Sequence, residues 1–432
     1  MIHRGKSKIL LSCLLGSILE WFDFAVYGYL TPVIATQFFP STNKLASILL
    51  TYGVFAIGFL FRPLGAILFG YIGDSSGRKT ALVISSFLMS IPTFLIGILP
   101  NYANIGVLAP ILLIFCRILQ GISVGGEFTG SFIYLVEQGI PGKKGFFSCF
   151  ADVGCCLGMI FGSICVALLN SFLTVDQLSS FGWRLPFLNG ILLSIIALYI
   201  RFYLTESSEF FVEKIPAKSP LHEIFTKYPK EFIYSTLSIA INSVGFYLLL
   251  VFIPNQTIAM GKISSANGYL VNTITLTILM AAVFFSASAC DYFDKVKIYL
   301  IGVISCILLA YPVFYALSYF ELLGQILMTG LLAIAVGFCF GPRPLFLISI
   351  FPLKVRYSAI ALALNLSNAI LGGTTPLLAV YLTSKMGSTQ QVAIMIILAA
   401  FLTLYSILSL VKLTSSIKSQ NQSMNTLSNG SC

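Results

Sequence analysis

Two carboxylates, Glu20 and Asp23, stand three residues apart inside an apolar stretch, Leu19-Glu20-Trp21-Phe22-Asp23-Phe24. On a helix that spacing puts both on one face. At low dielectric two such neighbours do not both ionise cheaply unless a cation neutralises them. Arg62, Arg117, Arg184 and Arg343 also fall inside or at the edge of apolar runs, and Arg117 is the natural partner of the two acids, with Arg62 second. A proton taken up at Asp23 or Glu20 would release Arg117, giving a two-state switch that a bound solute can also bias. The alternative is a permanently closed ion-pair network that only orders its helices. His3 and His222 lie outside the apolar runs, so a carboxylate has to carry any proton within them. There is no Ser/His or Cys/His pair in one compartment, no metal-ligand spacing and no phosphate-binding glycine loop, so the sequence predicts neither an enzyme nor a resident metal or cofactor.

Composition says what must hold these residues. Of 432 residues 57% are hydrophobic and 9% charged, against about 25% charged in a soluble domain, and the mean hydropathy is +0.95. Runs of about 20 apolar residues suffice to cross a bilayer as helix. Twelve such runs fit, at 9–36, 45–73, 80–100, 104–137, 145–173, 183–204, 232–260, 267–290, 297–317, 321–350, 355–384 and 390–412. Runs this long and uniformly apolar are helices and not barrel strands, so the expected fold is an all-α polytopic membrane protein with 12 transmembrane helices in two six-helix bundles. The predicted organisation is a bundle over 1–204, a cytoplasmic linker over 205–231 rich in both charges, a second bundle over 232–412 and a disordered cytoplasmic tail over 413–432. A signal or lipoprotein peptide ending near Cys13 is rejected, because the apolar run continues past Asp23 as a full span.

With both termini placed in the cytoplasm, eighteen lysines and arginines fall inside and only Lys44, Lys262 and Lys385 outside. That bias obeys the positive-inside rule and supports an even number of spans. It also accounts for the net charge of +10 without nucleic acid as a partner. The ten cysteines show no C-x-x-C spacing and read as buried thiols.

Two short segments between spans carry a repeated signal. Gly70-Tyr-Ile-Gly73-Asp74-Ser-Ser-Gly77-Arg78-Lys79 follows the second span and Asp291-Tyr-Phe-Asp294-Lys295-Val-Lys297 the eighth, each an acid followed by bases, six spans apart. Such a repeat implies two bundles of related topology that rock against each other. Asp74 can meet a helix N-terminus or a base on the opposite bundle. Gly70, Asp74, Gly77, Arg78, Asp291 and Lys295 are therefore expected at a cytoplasmic gate, joined by Glu127 and Glu137, which lie nearer the cytoplasm than Arg117. Asp152 reads as a gate partner for Arg62 or as an accessory proton site. Gly154-x-x-x-Gly158-x-x-x-Gly162 reads as a helix-packing seam.

These motifs, with Tyr27-Gly28, Arg62-Pro63-Leu64-Gly65, Arg117-Ile-Leu-Gln120-Gly121, Gly125-Gly126-Glu127, Gly182-Trp183-Arg184, Phe351-Pro352 and Gly372-Gly373-Thr374-Thr375-Pro376, resemble the major facilitator superfamily. Within it they resemble the metabolite–proton symporters, whose members include proline/betaine, 2-oxoglutarate, shikimate and citrate carriers. The resemblance implies the major facilitator fold, a monomer in a bacterial inner membrane, and alternating access with lipid, protons and a small solute as partners. Three positions depart from the pattern: Ser349 stands for an expected acid, Arg343 for a small or apolar residue, and Asp152 for a neutral one.

Substrate-binding candidates are Trp21, Tyr27, Arg62, Gln120, Asn242, Tyr247, Arg343 and Asn365. Pro342 and Pro344 disturb the helix around Arg343, which either lines a cavity and suits a carboxylate or snorkels toward the cytoplasm. Aromatic rings at Trp21, Tyr27, Phe246 and Tyr247 suit a quaternary ammonium. A zwitterion such as proline or betaine meets both requirements. An organic anion such as 2-oxoglutarate is the alternative within the same class, and a non-transporting transceptor or scaffold is the alternative outside it.

Overall fold

The structure, a computed structural model, describes residues 2–76, 78–137, 140, 142–191, 195, 220–261 and 263–429. The all-α architecture expected from the sequence is found among the described residues. The helices that occupy the predicted spans are α1 (Ile2–Tyr29), α2 (Lys44–Leu60, continuing as Arg62–Ser76), α3 (Arg78–Ile98), α4 (Leu108–Glu137) and α5 (Lys144–Phe172). Residues 185–191 begin α6, and the rest of the sixth predicted span lies largely outside the described residues. The later helices are α7 (Pro229–Ala259), α8 (Ser265–Ala289), α9 (Lys295–Leu317), α10 (Leu322–Ile348), α11 (Leu353–Ser367, continuing to Met386) and α12 (Ala393–Asn429). Among the described residues nine helices are long and apolar enough to span a bilayer.

Large apolar side chains face outward as well as inward. On α12, Ile394, Leu398, Phe401, Tyr405 and Leu408 are exposed, a stripe at helical spacing that needs lipid to cover it. In contrast, 94% of the apolar window of α7 is buried, against 39% for α12, so α7 runs through the centre of the molecule and α12 along its rim.

Besides α2 with its turn at Phe61, three further helices are interrupted among the described residues. α7 holds a π-helical turn at Leu248–Phe252 and α11 another at Asn368–Gly372, places where single-turn π insertions tend to mark function. α10 breaks at Gly341 and Pro342 into Leu322–Phe340 and Arg343–Ile348, as its prolines predict. The end of α12 differs from expectation, since helix continues to Asn429 through the predicted tail. No Gly or Pro occurs between Leu413 and Asn429 to stop it. Part of the predicted linker also forms a helix, Pro220–Lys227, with Ile224 buried and Lys227 bonded to Glu223 at 2.9 Å.

Glycines bring backbones into contact in the first half. A side chain at Gly158 would strike the carbonyl oxygen of Ile18, and those at Gly154 and Gly162 would strike Ser17 and Ala25. The seam on α5 therefore packs on α1, as expected from its spacing. Gly65, Gly121 and Gly125 do the same between α2 and α4. These two seams fix the depth at which α1, α2 and α4 present their charges.

Candidate transport site

Asp23 and Arg117 are brought together by that packing. Nη1 of Arg117 donates to Oδ2 of Asp23 at 3.2 Å, and the side chains are 0% and 3% exposed. Gln120, one turn along α4, bridges them: its Nε2 donates to the same Oδ2 at 2.9 Å, while its Oε1 accepts from Arg117 at 2.7 Å. Its Nε2 also reaches Thr93 Oγ1 on α3 at 2.8 Å. The Arg117 guanidinium lies 4.6 Å from the Phe24 ring and 4.3 Å from the Tyr27 ring. Three helices of one half thus close a buried acid–base knot.

Glu20 is equally buried, within electrostatic reach of Tyr247 and Cys155. Arg62 follows the Phe61 turn in α2 and stacks on aromatic faces, 4.0 Å from Phe59, 4.6 Å from Phe24 and 5.5 Å from Trp21. Those rings belong to a larger cluster that crosses between the halves. Trp21 meets Phe246 at 5.1 Å and Tyr247 at 6.3 Å, and Phe59 meets Tyr247 at 5.0 Å.

Several polar atoms in this cluster have no hydrogen-bond partner among the described residues: Asp23 Oδ1, Trp21 Nε1, Tyr247 Oη, and Nε and Nη2 of both Arg62 and Arg117. Buried polar groups are nearly always paired. Donors and one acceptor grouped around aromatic faces leave this cluster with hydrogen-bonding capacity unused.

Other predicted residues spend their polar groups on the protein itself. Tyr27 turns its hydroxyl to the Thr51 carbonyl at 3.3 Å. Asn242 accepts from Tyr299 at 2.8 Å within the second half. Asn365 commits its amide to the carbonyls of Gly125 and Ala361 at 3.0 and 2.9 Å, so it ties α11 to α4. Arg343 neither snorkels nor faces the ring cluster alone: Nη2 donates to Asp152 Oδ1 at 2.6 Å. Asp152 is thus partnered by Arg343 and not by Arg62. Phe24, Phe55, Phe59 and Thr93 were not singled out by sequence, because aromatics make up 14% of the chain and a threonine in a span carries no signal.

The halves touch at both ends. At the end carrying Lys144 and Lys297, the Asp291 carboxylate accepts from the backbone N–H groups of Gly145 at 2.7 Å and Phe146 at 3.0 Å, the first turn of α5. An acid there complements the helix N-terminus. Asp294 caps α9 instead, accepting from Val296 and Lys297. At the opposite end Asn255 donates to the Gly28 carbonyl at 2.9 Å and the Tyr269 hydroxyl to the Tyr29 carbonyl at 2.6 Å. These contacts join the halves on either side of the central cluster. Of the other predicted gate residues, Lys295 begins α9. Gly77 and the side chains of Asp74, Arg78, Glu127 and Glu137, with position 70, lie outside the described residues.

Comparison with known proteins agrees with this architecture. Residues 9–223 match a family described as sugar (and other) transporters. A proline/betaine transporter of Salmonella typhimurium is 34% identical over 403 residues, covering 89% of this chain and 79% of that protein. A putative proline/betaine transporter of Staphylococcus aureus is 33% identical over 393 residues, covering 90% of this chain and 84% of the relative. Among solved structures, the major facilitator proton–xylose symporter XylE bound to 6-bromo-6-deoxy-D-glucose superposes with a TM-score of 0.78 at 19% identity, over 95% of this chain and 96% of that one; this likeness speaks for the fold alone. The chain is a membrane transporter of the major facilitator superfamily, and it belongs to the metabolite–proton symporter branch that holds the proline/betaine transporters.

Proposed function

We propose that this carrier imports a small zwitterionic compatible solute, proline or a betaine, together with a proton, by alternating access. The observation that carries the reading is the set of partnerless polar atoms on Arg62, Arg117, Asp23, Trp21 and Tyr247 among aromatic faces. Arg62 takes the solute carboxylate, and the rings of Trp21, Phe246 and Tyr247 take its ammonium. The names of the relatives support the same class of solute. A dicarboxylate fits less well, because Arg117 and Arg343 are each already engaged by an aspartate.

Asp23 is the proton site. While ionised it holds Arg117; once neutral it releases the guanidinium, and the α1–α4 contact can rearrange. Asp291 forms part of the gate that faces the cytoplasm, with Asp74 its counterpart in the first half. The chain works as a monomer in a bacterial inner membrane with both termini cytoplasmic, its bundles over 1–204 and 232–412 joined by the 205–231 linker.

Purified protein in proteoliposomes with an imposed pH gradient tests this directly. Labelled betaine and proline are expected to accumulate, with unlabelled betaine competing better than 2-oxoglutarate. The reverse order of competition selects the anion reading, and no gradient-dependent accumulation of any solute selects the non-transporting one.

A further inference from the structure

The Asp152–Arg343 pair has no part in proton or solute handling as described above, yet it joins the halves. Asp152 is on α5 and Arg343 on the short terminal segment of α10, 191 positions apart in sequence. Their side chains are 2% and 4% exposed. Asp152 lies eight residues into α5, about 12 Å along the helix from its basic end, and so deeper than the Asp291 contact at Gly145. Cys155, one turn further, is within electrostatic reach of Asp152, Arg343 and Glu20. The Arg343 guanidinium lies 4.6 Å from the Phe340 ring, which lies 5.6 Å from Phe246. The pair therefore forms the floor beneath the central ring cluster, on the side toward the basic end.

A lone buried charge at either position would be strongly unfavourable, whereas the two together offset each other. Any opening of the basic end that parts α5 from α10 must break this pair and hydrate both groups. We propose that Asp152–Arg343 is a charge lock beneath the solute site, which holds the basic end shut and opens once in every transport cycle. Asp152 and Arg343 are positioning residues in this scheme. The inference rests on the alternating-access reading but not on the identity of the solute or on protons.

Cys155 supplies a native reporter. The full-length protein in lipid nanodiscs is treated with N-ethylmaleimide, and modification of Cys155 is followed by peptide mass spectrometry without any solute. Asp152→Asn and Arg343→Gln are each expected to speed modification about tenfold or more, and the exchange Asp152→Arg with Arg343→Asp is expected to return it to within about threefold of wild type. Single variants as protected as wild type would overturn the lock, as would a folded exchange variant that stays fast. If the exchange variant does not fold, the doubly neutral Asp152→Asn, Arg343→Gln protein decides: fast modification upholds the lock and wild-type protection overturns it. Loss of betaine uptake alone would count against the solute reading, and leaves this measurement unaffected.

Discussion

Asp23→Asn separates proton coupling from mere packing. In the structure Asp23 Oδ2 takes hydrogen bonds from both Arg117 and Gln120, with the guanidinium fully buried. The asparagine keeps the shape and one acceptor oxygen but removes the negative charge, leaving the buried Arg117 guanidinium with only neutral acceptors, the new amide oxygen and Gln120 Oε1. Breaking a buried pair in this way costs about 3–5 kcal/mol, so melting of the variant should fall, and adding Arg117→Gln should recover part of the loss. The transport effect is separate. One proton moving through 100 mV supplies about 2.3 kcal/mol, which at 1.36 kcal/mol per tenfold step is about fifty-fold accumulation of a neutral solute. Wild-type proteoliposomes should approach that ratio under an imposed potential, whereas Asp23→Asn should equilibrate solute to about one-fold while still exchanging labelled for unlabelled solute. A folded Asp23→Asn protein that concentrates solute like wild type would remove Asp23 from the coupling role.

Three further outcomes follow from other parts of the molecule. Trp21→Ala should raise the KM for betaine by up to about thirty-fold, the equivalent of about 2 kcal/mol of cation–π attraction in a desolvated site; an unchanged KM would take the ring out of the solute site. Asp291→Ala removes a charged acceptor from two peptide N–H groups, with bonds to charged groups worth about 1.5–3 kcal/mol each, so spin labels placed at positions 144 and 297 should report a shift of at least about tenfold toward separation, and an unaltered distance distribution would refute the gate. Gly158→Val drives a side chain into the backbone of α1 at Ile18 and Phe22 and should cost about 1–3 kcal/mol, seen as a lower melting temperature in detergent; a variant as stable as wild type would show that the α1–α5 seam is not tight.

Much of this was legible in the sequence because insertion in lipid makes each buried charge conspicuous. Glu20, Asp23, Arg62, Arg117, Asp152 and Arg343 stand out against apolar neighbours, and the Asp23–Arg117 partnership follows from sign and depth. The Gly154–Gly158–Gly162 seam likewise announces a close helix contact through its spacing. What stayed hidden were pairings across the two halves. Asp152 and Arg343 each present several plausible partners until the angle between α5 and α10 is known, and Asn365 reads as a solute ligand until its amide is seen on the Gly125 carbonyl. The ring cluster was legible only in part: Trp21, Phe246 and Tyr247 stood out, but phenylalanines are so common in this chain that composition gives no clue that Phe24, Phe55 and Phe59 turn inward to join them. Nor does Leu248–Phe252 contain a glycine or proline to advertise its π-helical turn.

The contact between Asp291 and the start of α5 has an asymmetry with consequences for how such a carrier can change over time. One partner is a side chain, open to replacement by a single codon; the other is two peptide N–H groups that nearly any residue would present. Only proline would delete a donor at position 145 or 146, and at 145 even a methyl group would collide with the Ala287 carbonyl and crowd the Asp291 carboxylate. Adjustment of this contact by mutation is therefore confined almost entirely to one residue of the second half. The Asp152–Arg343 bridge carries a side chain on each side, so drift at one position can be answered at the other, which makes it the more adaptable setting of the two.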